Sequence, residues 1–215
     1  RRYVHSPLWE QMDEKLCSSP ANNAPQEEAS RSGSMLEGSF GLVKTSLIDY
    51  PGRISAVIFS SGCTMRCPYC HNPEFVSGSP PRDGVSAGDI LSFLKKRKSV
   101  LGGVCISGGE PLLYPQIGTL ILAIKELGFA VKIDTNGSLP GILSDVCERV
   151  RPDFIAMDFK TAPAKYGLLT ATKKNATQLA DSVMESAAYI ISSGIPHEFR
   201  ITAVPGIVDI DIVLI

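Results

Sequence analysis

No stretch of these 215 residues approaches the ~20 consecutive apolar positions that a membrane-crossing helix needs, and the first residues lack a basic-then-apolar signal pattern. The cytoplasm is therefore the expected location. Net charge is also nearly absent, at −1, so neither nucleic acid nor an anionic membrane is expected as a partner. A disulfide framework is lacking too. Three of the six cysteines crowd one short stretch while Cys17, Cys105 and Cys147 are scattered, a usage that suits a reducing compartment and packed or idle thiols. What is present is enough apolar material, 44% of residues, to fill the core of one globular domain.

The chemistry-bearing stretch is Ser60 to Pro73, SSGCTMRCPYCHNP, with Cys63, Cys67 and Cys70 at CxxxCxxC spacing. Soft thiolates so close together select an iron–sulfur cluster, zinc or copper(I). Structural zinc needs a fourth ligand, and His71, directly after Cys70, is poorly placed to join the same tetrahedron. A 4Fe–4S cluster with one iron lacking a protein ligand is the better reading, since that iron can bind a substrate or cofactor.

Residues 1–36 are rich in Ser, Asn, Pro and Glu and read as a disordered or loosely ordered leader, followed by one domain over 37–215. From Ile54 the pattern alternates strand and helix. Strands are expected at Ile54–Ser60, Gly103–Ile106, Phe129–Asp134, Asp153–Lys160 and His197–Pro205, and helices at Ser86–Lys98, Pro115–Leu127, Leu139–Val150 and Ala176–Ser192. Such alternation predicts an α/β fold with a parallel sheet, and ligands in such folds bind at the carboxyl ends of the strands. The polar motifs fall there. Gly108-Gly109-Glu110-Pro111 follows the second strand, where glycines permit close backbone approach and the Glu110 carboxylate with strand-end carbonyls could grip an ammonium. Asp134-Thr135-Asn136-Gly137 follows the third and would alone be an ordinary turn. Asp158 and Lys160 alternate with apolar residues on the fourth and share a face, which fits either a site or a plain intrastrand charge pair. The run Lys95-Lys96-Arg97-Lys98 reads as the solvated end of a helix.

The CxxxCxxC loop, with Tyr69 before its last cysteine, resembles the radical S-adenosylmethionine superfamily. The continuation His71-Asn72-Pro73 and the preceding LVKTSLIDYPGR, Leu42 to Arg53, are similar to glycyl-radical-enzyme activating proteins, and most of all to activators of anaerobic ribonucleoside-triphosphate reductase. The resemblance runs from about Gly41 to Asp209. It implies an incomplete parallel (βα)6 barrel whose sixth unit is truncated in this sequence. It also implies a 4Fe–4S cluster on Cys63, Cys67 and Cys70, and S-adenosylmethionine whose amino group meets Gly108, Gly109 and Glu110.

By the same resemblance, Asp134 lies beside the cofactor, Asp158 and Lys160 face its carboxylate, and Arg200 is a further cofactor-side cation. Asp134, Thr135 and Asp158 would hold a monovalent cation, as in pyruvate formate-lyase activators. The implied activity is reductive cleavage of S-adenosylmethionine to a 5′-deoxyadenosyl radical that makes a glycyl radical on a partner enzyme. Flavodoxin or ferredoxin would supply the electron, and no side chain need act as catalytic acid or base. The pyruvate formate-lyase activators often carry extra ferredoxin-like cysteines after the first loop, and none lies between Pro73 and Val104. Alternatives are a pyruvate formate-lyase activator, a deazaguanine-synthase type reaction, or a non-catalytic metal module.

Overall fold

The computed structural model describes residues 36–170 and 176–208. The leader expected over 1–36, apart from Leu36, lies outside these residues, as do Cys17 and the segment 209–215 where the sixth unit was expected to begin. Leu36 itself is buried in the core.

Seven strands form one sheet: β1 (Ser39–Ser46), β2 (Ser55–Ser60), β3 (Val85–Ser86), β4 (Gly103–Gly108), β5 (Ala130–Thr135), β6 (Phe154–Phe159) and β7 (His197–Ile201). Their spatial order is β3-β1-β2-β4-β5-β6-β7. From β2 to β7 every neighbour pair is parallel, and these are the five strands expected from sequence. β1 and β3 are additions, paired antiparallel at the β2 side.

Four helices follow the expected positions: α1 (Ala87–Lys96), α2 (Ile117–Glu126), α3 (Pro140–Val150) and α4 (Ala176–Ser193). Local chemistry sets their ends. Ser86 caps α1 by accepting the Asp89 N–H at 3.1 Å, and Lys95 and Lys96 occupy its last turn, where cations suit the helix dipole. Pro140 starts α3, where its missing N–H costs no hydrogen bond.

Each crossover from β2 to β7 moves to the adjacent strand in one direction. Right-handed connections then put every helix on the same face, which is the winding of a barrel and not of a two-faced open sheet. The core lies on that face. Val104, Ile106, Val131, Ile133, Ile155 and Met157 from the strands pack with Ile90, Leu94, Leu120, Ile124, Leu143, Val183 and Ile190 from the helices. Each fully buried aliphatic side chain there contributes roughly 2 kcal/mol. Because side chains alternate along a strand, the other face carries Cys105, Lys132, Asp134, Ala156, Asp158, Glu198 and Arg200. An apolar outside and a charged inside are what a partial barrel with a polar lumen requires.

Candidate functional site

The cysteine loop leaves the end of β2, and its stem is fixed by main chain. Gly62 N–H donates to Phe75 O at 2.7 Å, and Arg66 N–H donates to Leu169 O at 2.7 Å. From the neighbouring strand end, Gly109 N–H donates to Ser60 O at 3.0 Å and Glu110 N–H to Gly62 O at 2.8 Å. Met65 is buried beneath the loop, and the Tyr69 hydroxyl donates to Lys160 O. Cys63, Cys67 and Cys70 are half-buried. His71 is exposed.

Burial pushes the Cys63 thiol above its ordinary range and Cys67 up to about 11, and the three sulfurs influence one another electrostatically. Two N–H groups already face Cys63 Sγ: Met65 N at 3.4 Å and Asn136 Nδ2 at 3.6 Å. Among the described residues no three Cys, His, Asp or Glu side chains form a closed ligand cage. The donor set nevertheless fits an iron–sulfur cluster. It offers three soft donors on one loop, with N–H groups placed to stabilise a thiolate.

The GGEP segment turns out to be the clasp of this loop. A Cβ on Gly108, at φ +119°, would lie 2.2 Å from Ser60 O, and one on Gly109 would lie 2.1 Å from Gly62 O. Only glycine lets the two strand ends approach this closely. Glu110 is 0% exposed, and its carboxylate points into the protein, not outward toward an ammonium. It accepts Leu112 N–H at 3.2 Å, Thr135 Oγ1–H at 2.8 Å and Asn136 N–H at 2.7 Å. Burial pushes its pKa up to about 7 against the pull of these donors. Asn136 carries the linkage onward, donating to Thr64 Oγ1 at 3.1 Å, and Thr64 meets Ser138 Oγ at 2.6 Å.

On the inner face the predicted Asp134, Asp158, Lys160 and Arg200 come together. Asp158 and Arg200 are direct cross-strand partners. Arg200 Nε donates to Asp158 Oδ1 at 2.8 Å and Nη2 to Oδ2 at 3.3 Å, while Nη1 reaches Asp134 Oδ2 at 3.4 Å. Lys160 Nζ donates to Asp158 Oδ2 at 2.9 Å. Burial alone would raise the Asp158 pKa, but the Lys160 and Arg200 cations outweigh it and hold the carboxyl below its usual range.

Three members of the site were missing from the sequence reading: Lys132, Glu198 and the Asn136 side chain. Lys132 is 1% exposed and donates to Asp134 Oδ1 at 2.6 Å, with Glu198 Oε1 at 3.8 Å and Cys105 Sγ at 4.0 Å. The signal was available, since Lys132 and Asp134 stand two apart on a strand just as Asp158 and Lys160 do.

The donors expected to hold a monovalent cation are all engaged by the chain. Both oxygens of Asp134 and both of Asp158 face Lys or Arg nitrogens, and the Thr135 hydroxyl donates to Glu110 while accepting Gly137 N–H at 3.1 Å. This arrangement does not fit such a cation.

Comparison with known proteins bears on both halves of the site. The sequence pattern of the Radical SAM superfamily matches residues 57–215. A Methanocaldococcus jannaschii protein, whose assigned name of glycyl-radical enzyme activating enzyme is itself an inference, is 33% identical over 173 residues, 79% of this chain and 69% of its own length. The pyruvate formate-lyase-activating enzyme of Clostridium pasteurianum is 36% identical over 119 residues, 53% of this chain, which spans about half of that enzyme, 48%. Among solved structures, TYW1 with a lysine–pyruvate adduct bound aligns with a TM-score of 0.52 at 19% identity, covering 73% of this chain and 57% of that one. Streptococcus suis SuiB bound to precursor peptide SuiA aligns with a TM-score of 0.53 at 23% identity, covering 74% and 34%. Both likenesses concern the fold.

Proposed function

Since this chain belongs to the radical SAM superfamily, whose members use a 4Fe–4S cluster and S-adenosylmethionine, we propose that it is the activating enzyme of a glycyl radical enzyme. The observation that carries this reading is the direct hydrogen bonding of the cysteine loop to the ends of β4 and β5, which joins three thiols and a charged strand-end row into one unit.

Cys63, Cys67 and Cys70 would hold the cluster. With both bound, the cluster and S-adenosylmethionine would supply one-electron reductive C–S cleavage coupled to hydrogen-atom removal from one glycine of the partner, the electron coming from a flavodoxin or ferredoxin. The chain's own residues bind and orient. Backbone groups at Gly108 and Gly109 meet the methionyl ammonium, and Lys160 and Arg200 meet its carboxylate. Asp134 and Asp158 hold those cations in place, and Glu110 fixes the loop against β5.

The partner is proposed to be anaerobic ribonucleoside-triphosphate reductase, on the resemblance of LVKTSLIDYPGR and HNP and on the lack of ferredoxin-like cysteines between Pro73 and Val104. The clostridial relative supports pyruvate formate-lyase as the second reading. The test is anaerobic reconstitution, reduction and electron paramagnetic resonance with and without S-adenosylmethionine, followed by mixing with each partner. A cluster signal that changes with S-adenosylmethionine, 5′-deoxyadenosine release, and a glycyl radical doublet on the reductase are expected. A doublet only on pyruvate formate-lyase would reassign the partner, and a cluster indifferent to S-adenosylmethionine would sink the activase reading.

A further inference from the structure

Lys132 is the least expected residue of the inner face. It is a lysine with a 1% exposed side chain, midway along a central parallel strand, where burial of an unpaired ammonium would be costly. Its partner is specific. Nζ lies 2.6 Å from Asp134 Oδ1, while Arg200 approaches the other oxygen of the same carboxylate at 3.4 Å. Glu198 stands 3.8 Å from Lys132 and also 3.8 Å from Arg200, so a second anion is shared between the two cations. Register explains the room for this arrangement. Asp134 and Glu198 both pair with Ala156, whose methyl leaves space across β6 for the long side chains to meet.

The four carboxylate oxygens that could have taken a metal ion are thereby covered by nitrogens, and the Thr135 hydroxyl is turned to Glu110. We propose that Lys132 is a built-in counter-ion, its ammonium occupying at Asp134 the electrostatic role of a bound monovalent cation. Lys132 is then a positioning residue, acting through Asp134, and the site binds S-adenosylmethionine without sodium or potassium. The second statement rests on the reading of this site given above.

A lysine in this role differs from a metal ion in two testable ways. It cannot be exchanged with solvent, and its removal leaves a carboxylate whose charge a small cation can balance. The experiment measures S-adenosylmethionine affinity of the anaerobically reconstituted full chain, and its thermal midpoint without S-adenosylmethionine. Both are taken in potassium, sodium and choline chloride at equal ionic strength, so that general screening is constant. For the unaltered protein, both quantities should be the same in all three salts.

For Lys132→Met, which keeps the side chain's length but not its charge, affinity in choline should fall, and potassium or sodium should restore it by about fivefold or more, the size of an ordinary coupling between two sites. Its melting temperature should likewise rise with potassium or sodium, as it does for any ligand that binds only the folded state. If the unaltered protein binds S-adenosylmethionine more tightly or melts higher in potassium or sodium than in choline, the proposal is wrong. The same holds if Lys132→Met folds and responds to no cation. Should Lys132→Met fail to fold, the salt response of the unaltered protein decides alone. Failure of the unaltered protein to bind S-adenosylmethionine in any salt would overturn the activase reading, and the melting temperatures would still decide whether a cation site exists.

Discussion

The backbone N–H of Asn136 donates to the Glu110 carboxylate at 2.7 Å, and through this bond the end of β5 is fastened to the end of β4. The same Asn136 donates its side-chain amide toward Cys63 Sγ at 3.6 Å. Glu110 thus governs where the first cysteine sits without touching it.

Replacing Glu110 by Gln should destabilise the protein by roughly 1–3 kcal/mol, because the amide NH2 accepts nothing and would face donors that either oxygen of the carboxyl group, protonated or not, can accept. The cost should vary with pH. The folded-state pKa of about 7 lies above the ordinary carboxylate value, so the stability tied to the proton is fully present below about 4.5 and lost as pH rises through 7. The stability gap between the unaltered protein and Glu110→Gln should therefore narrow between pH 4.5 and 7.5, as read by denaturant unfolding at each pH.

Gly108→Ala should be severe, costing roughly 3 kcal/mol or more, because a Cβ there would sit 2.2 Å from backbone and at φ +119°. Gly52→Ala is the control. Its φ is also positive, at +70°, but nothing lies within 4 Å, so only about 1 kcal/mol of backbone strain is expected. Thermal unfolding of the two variants separates close approach from conformational preference.

Much of this architecture could be read before any coordinates. All five parallel strands were legible, β2 as a continuous apolar run and β5 and β7 with charged residues alternating among apolar ones, and the four helices lie within about two residues of their expected ends. β1 escaped notice because only Phe40 and Ser46 of its eight residues are buried, and an antiparallel strand at the flank needs no continuous apolar run. Lys132 escaped because one lysine among Val131 and Ile133 reads as a solvent-side position. Its burial becomes evident only when β4 and β6 flank it in register. Glu110 was found as a site residue, but its direction depends on the donors of Thr135 and Asn136, 25 and 26 positions away.

Any single Cys→Ala exchange at Cys63, Cys67 or Cys70 should remove most of the iron taken up on anaerobic reconstitution, measured as iron per chain and by cluster absorption. Cys105→Ala and Cys147→Ala should retain it. Both thiols are buried and pushed up in pKa by that burial, Cys147 to about 12, so each exchange should cost only about 1 kcal/mol of packing.

Arg200→Lys should weaken S-adenosylmethionine binding by about tenfold, because a lysine cannot reproduce the fork that engages both oxygens of Asp158 while reaching Asp134. Isothermal titration of the reconstituted protein checks this. An unchanged affinity would reduce Arg200 to a strut of the barrel wall.

The cysteine loop is anchored at Ser60, Gly62, Arg66, Gly109 and Glu110 through peptide groups, which every sequence possesses. Its path is consequently written in a code that most side-chain substitutions do not alter. The exposed Arg66 guanidinium adds two further bonds to main chain, donating to Cys63 O at 2.7 Å and Met65 O at 2.9 Å. A loop of equal length and cysteine spacing, grafted from a distant relative between the same anchors, should inherit its course from the host, making this segment an exchangeable cassette on a fixed mount.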